Sequence, residues 1–168
     1  GRGLYSTGLG HGDALHLSDI DPARPGLEVW AIHEKSEHPH GANLRDAATG
    51  DILWSLDLKD PGRGLTMDID PRYPGYECWT NNSAGLYTAT GKKISDAKPR
   101  SCNMGIWWDG DLMREILSAD SRGPYIDKWR FTEGKSTRLL SGGDYDCLAN
   151  NGSKATPCLV ADILGDWR

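Results

Sequence analysis

The sequence predicts an all-β chain organised as a β-propeller, of which these 168 residues hold about three blades and a fraction. The first observation is a phrase that occurs twice. Asp19-Ile-Asp21-Pro-Ala-Arg-Pro-Gly26-Leu-Glu28-Val-Trp30 returns 49 positions later as Asp68-Ile-Asp70-Pro-Arg-Tyr-Pro-Gly75-Tyr-Glu77-Cys-Trp79. A looser third copy starts at Asp109-Gly-Asp111, 41 positions after Asp68, and a fourth opens at Ala161-Asp162. A period near 50 marks repeat architecture. The second observation is that each period holds roughly four short strand-like stretches and a turn that closes an outer hairpin, as propeller blades do. The third is composition: 21 Gly, 9 Pro and 7 Trp with a single Phe suit many short strands joined by tight turns better than a helical bundle. A right-handed parallel β-helix is the structural rival, but its rungs are shorter and lack regular hairpins.

The elements follow in order, in repeats that begin near residues 13, 62, 103 and 155. After the first Asp loop, Glu28 to Glu34 is rich in β-formers, and a polar loop from Lys35 to Gly41 carries His38 and His40. Ala42 to Asp46 and Asp51 to Leu56 then form a hairpin around Ala47-Ala-Thr-Gly50. The second repeat keeps this order with Glu77 to Thr80, Gly85 to Thr88, a turn at Ala89-Thr-Gly91, and Lys92 to Ile94. In the third, Glu115 to Leu117, Tyr125 to Trp129 and Ser136 to Leu140 are the strands, with a turn at Thr132-Glu-Gly134. Propellers close with roughly four to eight blades, so the expectation is that other segments complete the ring and that the last repeat is cut.

Composition narrows the function. A net charge of −5 with no basic face argues against nucleic acid and anionic membrane as partners. No run of 18 apolar residues is present, and Gly1 to Gly8 lacks the regions of a signal peptide, so a soluble chain is expected, with any targeting segment upstream. Cys78, Cys102, Cys147 and Cys158 show no CxxC pairing; a zinc site is not expected, and buried thiols and disulfides both stay open.

Two sets of residues carry candidate chemistry. Two carboxylates two positions apart, a Gly and a Glu seven positions after the second Asp suit a hard cation that binds oxygen ligands. Calcium is the expected ion, with Asp19, Asp21 and Glu28 on the first loop and Asp68, Asp70 and Glu77 on the second. Asp109 with Asp111, Asp162 with Asp166, and Asp13 with Glu34 are further candidate ligands. The competing reading is an Asx turn, in which the Asp side chain binds backbone N–H groups without metal. The second set lies just before each Asp loop. Equivalent positions of successive blades point to one end of a propeller, which would gather His11, Arg63, Asn103 and Lys154 around one mouth.

Those residues also carry a family resemblance. Gly10-His-Gly-Asp-Ala-Leu-His16, Ser18 to Pro22, Pro25 to Trp30, His33-Glu34, Leu44-Arg-Asp46, Gly62-Arg-Gly-Leu65, Asp68 to Gly75, Trp107-Trp-Asp-Gly-Asp-Leu112 and Asp162 to Arg168 resemble the rhamnogalacturonan lyases of polysaccharide lyase family 11. The likeness spans nearly the whole chain and is weakest between about Ala119 and Asp146. It implies an eight-bladed propeller with many calcium ions on its loops. It also implies a secreted protein, extracellular or periplasmic, whose substrate is rhamnogalacturonan I and whose reaction is β-elimination in the pectin backbone. The family's cleft His, Arg and Lys match His11, Arg63 and Lys154, with Ser153 replacing the usual Thr beside Asn151 and Gly152.

Such an elimination removes the C5 proton next to the uronate carboxylate, so it needs a cation on that carboxylate and a base that is neutral at the working pH. Arg63 is assigned to the carboxylate, either Lys154 or His11 to the base, and Asn151, Gly152, Ser153, Asn103 and Trp108 to substrate contact. The other tryptophans fall at strand positions and are read as packing residues. Two further readings fit the same residues: a calcium-stabilised propeller that only binds carbohydrate or protein, as integrin-like propellers do, and an inactive fragment of the lyase.

Overall fold

The computed structural model of the chain describes residues 2–34, 38–150, 157 and 159–166. Among them, twelve strands form three four-stranded antiparallel sheets, and in each sheet the strands pair in chain order. The first sheet holds β1 (Gly12–Ser18), β2 (Glu28–His33), β3 (Ala42–Asp46) and β4 (Ile52–Leu56). The second holds β5 (Gly64–Met67), β6 (Glu77–Thr80), β7 (Leu86–Tyr87) and β8 (Lys93–Ser95). The third holds β9 (Met104–Ile106), β10 (Glu115–Asp120), β11 (Gly123–Arg130) and β12 (Lys135–Ser141), and a short 3-10 turn follows at Gly142–Tyr145.

The second strands are the core. Every residue of β2 and of β6 is buried, so these strands are covered on both faces, with Val29-Trp-Ala-Ile32 in β2 and Cys78-Trp79 in β6 as unbroken apolar runs rather than alternating ones. Trp30, Ile32 and Leu44 of the first sheet pack with Ile20 against Cys78 and Ala89 of the second. Leu65, Met67, Trp79 and Leu86 of the second pack in turn against Cys102, Ile116 and Trp129. Each sheet therefore covers the face of its neighbour. The indoles tie the stack together, since Trp54 donates to the carbonyl of Ala89 at 2.7 Å and Trp79 to that of Ser101 at 3.0 Å. Trp107 departs from the packing role at 40% exposed, and Trp108, read as a substrate contact, is 41% exposed.

Two glycines show why the sheets can approach. A Cβ on Gly64, the first residue of β5, would lie 2.4 Å from Cδ1 of Ile32, so only glycine lets this strand meet the first sheet. Gly75 has φ +83°, and a Cβ there would sit 2.3 Å from the carbonyl oxygen of Ile20. The next residue, Tyr76, donates its N–H to that same oxygen at 2.9 Å, and Arg114 likewise donates to the carbonyl of Asp68 at 3.0 Å. Backbone bonds thus link each Asp loop to the one before it.

The predicted hairpins are present, and their turns are built as expected: Asp46 Oδ1 accepts the N–H groups of Ala48 and Thr49 at 2.8 and 2.9 Å ahead of Gly50, whose φ is +83°. The segments leading into the Asp loops are more regular than expected, because their ends form β1, β5 and β9. Residues 157 and 159–166, from the expected fourth repeat, carry no strand, and the others of that repeat lie outside the described residues.

Of the alternatives left open for the cysteines, Cys78, Cys102 and Cys147 are free thiols, and Cys158 lies outside the described residues. Burial pushes the Cys78 and Cys102 thiols up to about 12, while Cys147 is exposed. A thiolate is the reactive form. Maleimide labelling of the native protein at mildly alkaline pH, read by peptide mapping, is therefore expected to modify Cys147 and to spare Cys78 and Cys102 until denaturant is added; labelling of Cys78 at the rate of Cys147 would contradict the packing.

Candidate functional site

A glutamate opens the second strand of every sheet, and Glu28, Glu77 and Glu115 are only 1, 0 and 0% exposed. Each uses Oε2 to hold its loop. Glu28 accepts the N–H groups of Ile20 and Asp21 at 3.0 and 3.1 Å, Glu77 those of Ile69 and Asp70 at 3.1 and 2.9 Å, and Glu115 that of Trp108 at 2.9 Å. The second Asp of each long loop makes the Asx turn weighed above: Asp21 accepts from Ala23 at 3.1 Å and Asp70 from Arg72 at 3.2 Å. The turn uses one carboxylate oxygen, which leaves the others to be matched.

The three loops match them differently. In the first, where Asp19 is exposed, Arg24 stands 3.8 Å from Glu28 Oε1 and 3.6 Å from Asp46 Oδ2, an electrostatic bridge beyond hydrogen-bond reach. In the second, Arg72 grips Asp70 with two bonds of 2.8 and 2.6 Å, and leaves Asp68 Oδ1 and Glu77 Oε1 buried without a hydrogen-bond partner among the described residues. Burial first, then the charges of Asp68 and Asp70, push Glu77 up to about 8; burial and Asp70 raise Asp68. Buried, mutually repelling carboxylates with free oxygens suit a hard cation. In the third loop the ammonium of Lys128 contacts Asp109, Asp111 and Glu115 together. Asp162 accepts from Gly165 and Asp166 at 2.6 and 3.1 Å within a turn.

At the other end of the sheets, the first strands β1, β5 and β9 are neighbours in space. Just before β1, His11 Nδ1 lies 3.1 Å from Glu34 Oε1 and 3.9 Å from Asp13 Oδ1, with its side chain 71% exposed. Ligand atoms of these three residues fall within 4.8 Å of one another, so they can share a cation, or Glu34 can orient the ring with Nε2 left outward. Just before β5, the half-buried Arg63 buries Nε and Nη1 without a hydrogen-bond partner among the described residues. Its neighbour Gly64 receives the ring of His16 at 2.9 Å; burial above all, then the charges of Arg63 and Arg114, hold that imidazole below its ordinary range against the Gly64 bond.

Just before β9, Asn103 donates its amide to Ser118 Oγ at 2.8 Å, a bond internal to the third sheet. The three residues share an end but not a level. Measured from the partners of the buried glutamates, Ser18, Met67 and Ile106, Asn103 is level with Gly64, Arg63 with Ala14, and His11 lies farther out. Trp108 lines an apolar groove of about 370 Å³ with Ile106, Trp107, Leu117 and Ile126, beneath residues 159–161, 163 and 164. Lys154, Asn151, Gly152 and Ser153 lie outside the described residues. Sequence reasoning missed Arg24, Arg72, His16, Arg114 and Lys128. For Lys128 the available signal was the two-residue parity of Tyr125 to Trp129, which points it away from the Trp129 face.

Comparison with known proteins is consistent along the chain. A family model described as "Rhamnogalacturonan lyase family 11, C-terminal domain" matches residues 1–168. The rhamnogalacturonan endolyase YesW of Bacillus subtilis (strain 168) is 56% identical over 169 residues, which take in 100% of this chain and 26% of that protein. The rhamnogalacturonan exolyase YesX of the same strain is 48% identical over 180 residues, taking in 100% of this chain and 29% of that protein. Among solved structures, a Bacillus licheniformis rhamnogalacturonan lyase PL11 is similar with a TM-score of 0.91 at 54% identity, over 100% of this chain and 28% of that one. The exotype lyase YesX gives 0.87 at 47%, over 94% and 28%. The chain thus spans between a quarter and a third of the length of the curated relatives it matches.

The second loop has a pH signature. A carboxyl whose folded value rises from 4.5 to about 8 favours the folded state fully below the lower value, and that contribution is lost as pH climbs through the upper one. In metal-free protein the unfolding temperature is expected to fall across that window, and Glu77→Gln is expected to flatten the fall; an equally steep profile in the variant would show that Glu77 is not its source.

Proposed function

We propose, from the premise that the chain belongs to rhamnogalacturonan lyase family 11 and carries its C-terminal domain, that the protein bearing it cleaves the rhamnose–galacturonate backbone of rhamnogalacturonan I by β-elimination. The observation that carries this reading is the family match along residues 1–168 together with 56 and 48% identity to an endo-acting and an exo-acting lyase. A segment common to both modes of attack suits the chemistry they share rather than the loops that distinguish them. In this reading the three sheets are consecutive blades of a propeller, and the protein works outside the cytoplasm, where its polymeric substrate is.

The residues have definite tasks in it. Arg63 takes the uronate carboxylate, because it stands just before β5 and its guanidinium fork fits a carboxylate. With that charge held, the C5 proton passes to the base, the C–H electron pair becomes the C4–C5 double bond, and the bond from C4 to the glycosidic oxygen breaks, the leaving oxygen taking up a proton. The base is His11, whose ring Glu34 orients at 3.1 Å, or Lys154. Asn151, Gly152 and Ser153 make substrate contacts in this scheme; Asn103, proposed for the same role, would have to release Ser118, and Trp108 stands at the Asp-loop end, away from Arg63 and His11.

Calcium is proposed for the Asp loops, and the second fits it best, since Asp68 Oδ1 and Glu77 Oε1 are buried there without a hydrogen-bond partner among the described residues while Arg72 is committed to Asp70. When bound there it would supply positive charge that lets Asp68 and Glu77 ionise. Asp19, Asp21 and Glu28 form the equivalent set on the first loop, and Asp13 with Glu34 a third in the case where Lys154, and not a His11 oriented by Glu34, is the base.

The reaction is followed by the ultraviolet absorbance of the unsaturated uronate it forms. With the intact protein, Arg63→Ala is expected to lower kcat at least ~100-fold without loss of fold, as removal of a preorganised charge stabiliser does, and Arg63→Lys to restore little of it. Of His11→Ala and Lys154→Ala, the variant that removes the base is expected to abolish the acidic limb of the kcat/KM profile. Absence of any unsaturated product from the intact protein, or full turnover in all three alanine variants, overturns the reading.

A further inference from the structure

We propose that Lys128 is the resident cation of the third loop, a counter-ion supplied by the chain itself that closes this loop to metal. The three sheets provide the internal comparison. Glu28 faces Asp46 across its ladder, Glu77 stands one step beyond the Cys78–Tyr87 pair and so faces Thr88, and Glu115, one step beyond the Ile116–Asp127 pair, faces Lys128. The same structural position thus carries an acid, a neutral hydroxyl and an ammonium. Glu28 Oε1, Glu77 Oε1 and Glu115 Oε1 are each buried without a hydrogen-bond partner among the described residues, and what separates them is the nearest cation: Arg24 stands 3.8 Å from Glu28 and Lys128 2.9 Å from Glu115, while Glu77 has no ion pair among the described residues.

In the third loop every carboxylate oxygen is matched. Asp109 Oδ1 accepts the N–H of Asp111 at 3.3 Å, Asp111 Oδ1 that of Met113 at 2.7 Å, and Glu115 Oε2 that of Trp108 at 2.9 Å. The opposite oxygens of both Asp residues meet the Lys128 ammonium, and Glu115 Oε1 lies 2.9 Å from it as an ion pair off hydrogen-bond alignment. The lysine side chain is 6% exposed, so it is built into the sheet and not draped over it. The tethered ammonium donates to Asp109 and Asp111 and sets its charge beside Glu115, whereas calcium asks for six to eight oxygens. A metal entering here would have to expel a buried lysine, so the candidate set Asp109, Asp111 and Glu115 does not fit calcium while Lys128 is in place.

The consequence is a division of labour: chelation loosens the first two loops and spares the third. This rests on the calcium reading of the Asp loops but not on the lyase reaction, and its test needs no turnover. Terbium, a hard cation that reports nearby indoles by sensitised emission, is titrated into the calcium-stripped intact protein. Trp107 and Trp108 adjoin Asp109, so metal in this loop must be excited through them. Trp107→Phe/Trp108→Phe in the otherwise native protein is expected to leave terbium emission unchanged. Lys128→Met is expected to bind one more lanthanide per chain, with emission that the added Trp107→Phe/Trp108→Phe pair removes. The proposal is overturned if the double Trp variant dims the emission of native protein, which would put metal in the loop already, or if folded Lys128→Met gains none. Should Lys128→Met fold only in the presence of metal, that supports the proposal; should it not fold at all, the double Trp variant decides.

Discussion

The structure depends on a buried carboxylate that must be satisfied where it stands. Glu28, Glu77 and Glu115 begin the strand that runs through the middle of each core, and Oε2 of each binds the backbone of the loop that precedes the strand. A hydrogen bond contributes roughly 0.5–3 kcal/mol, the upper part of that range when the acceptor is charged, and a buried donor left unpaired costs about 1–3 kcal/mol. The loop therefore has one position relative to its sheet. From that position follow the backbone bonds of Tyr76 to Ile20 and of Arg114 to Asp68, which set each sheet on the last and bring the first strands together.

The same carboxylate creates the problem that the rest of each loop solves. Taking charge out of water is expensive unless it is paired and hydrogen-bonded. The chain answers with a loose guanidinium in the first loop, a guanidinium committed to Asp70 in the second and an ammonium in the third. Only the second leaves two buried oxygens of different residues, Asp68 Oδ1 and Glu77 Oε1, with no donor among the described residues. Thus near-identical phrases need not have identical ion requirements, because what lies across the ladder decides them.

Much of the fold was legible because it rests on local rules. The hairpin at Thr49-Gly50 is written in its turn residues, and the buried second strands in runs such as Val29-Trp-Ala-Ile32. The first strands were less legible, since β5 and β9 are only four and three residues long and include glycines placed for close approach, which erases a strand signature. The site was legible in part. His11 and Arg63 stand just before neighbouring strands, but Asn103 is engaged with Ser118, and strand level separates residues that looked equivalent. The role of Lys128 was not legible, because Asp109 and Lys128 are 19 residues apart and meet only through the pairing of β10 with β11. Pairing across a sheet is a tertiary fact that a repeat in sequence does not record.

The loops are accordingly read as supports, and the residues just before the first strands as the reacting surface. Calcium-dependent thermal unfolding and turnover of Asp68→Asn, measured on the same intact protein, test that separation most directly. The account predicts that the variant loses part of the stabilisation that calcium gives and keeps its kcat below the unfolding temperature. Full calcium stabilisation with turnover lost would contradict it, because it would put Asp68 among the groups that act on substrate.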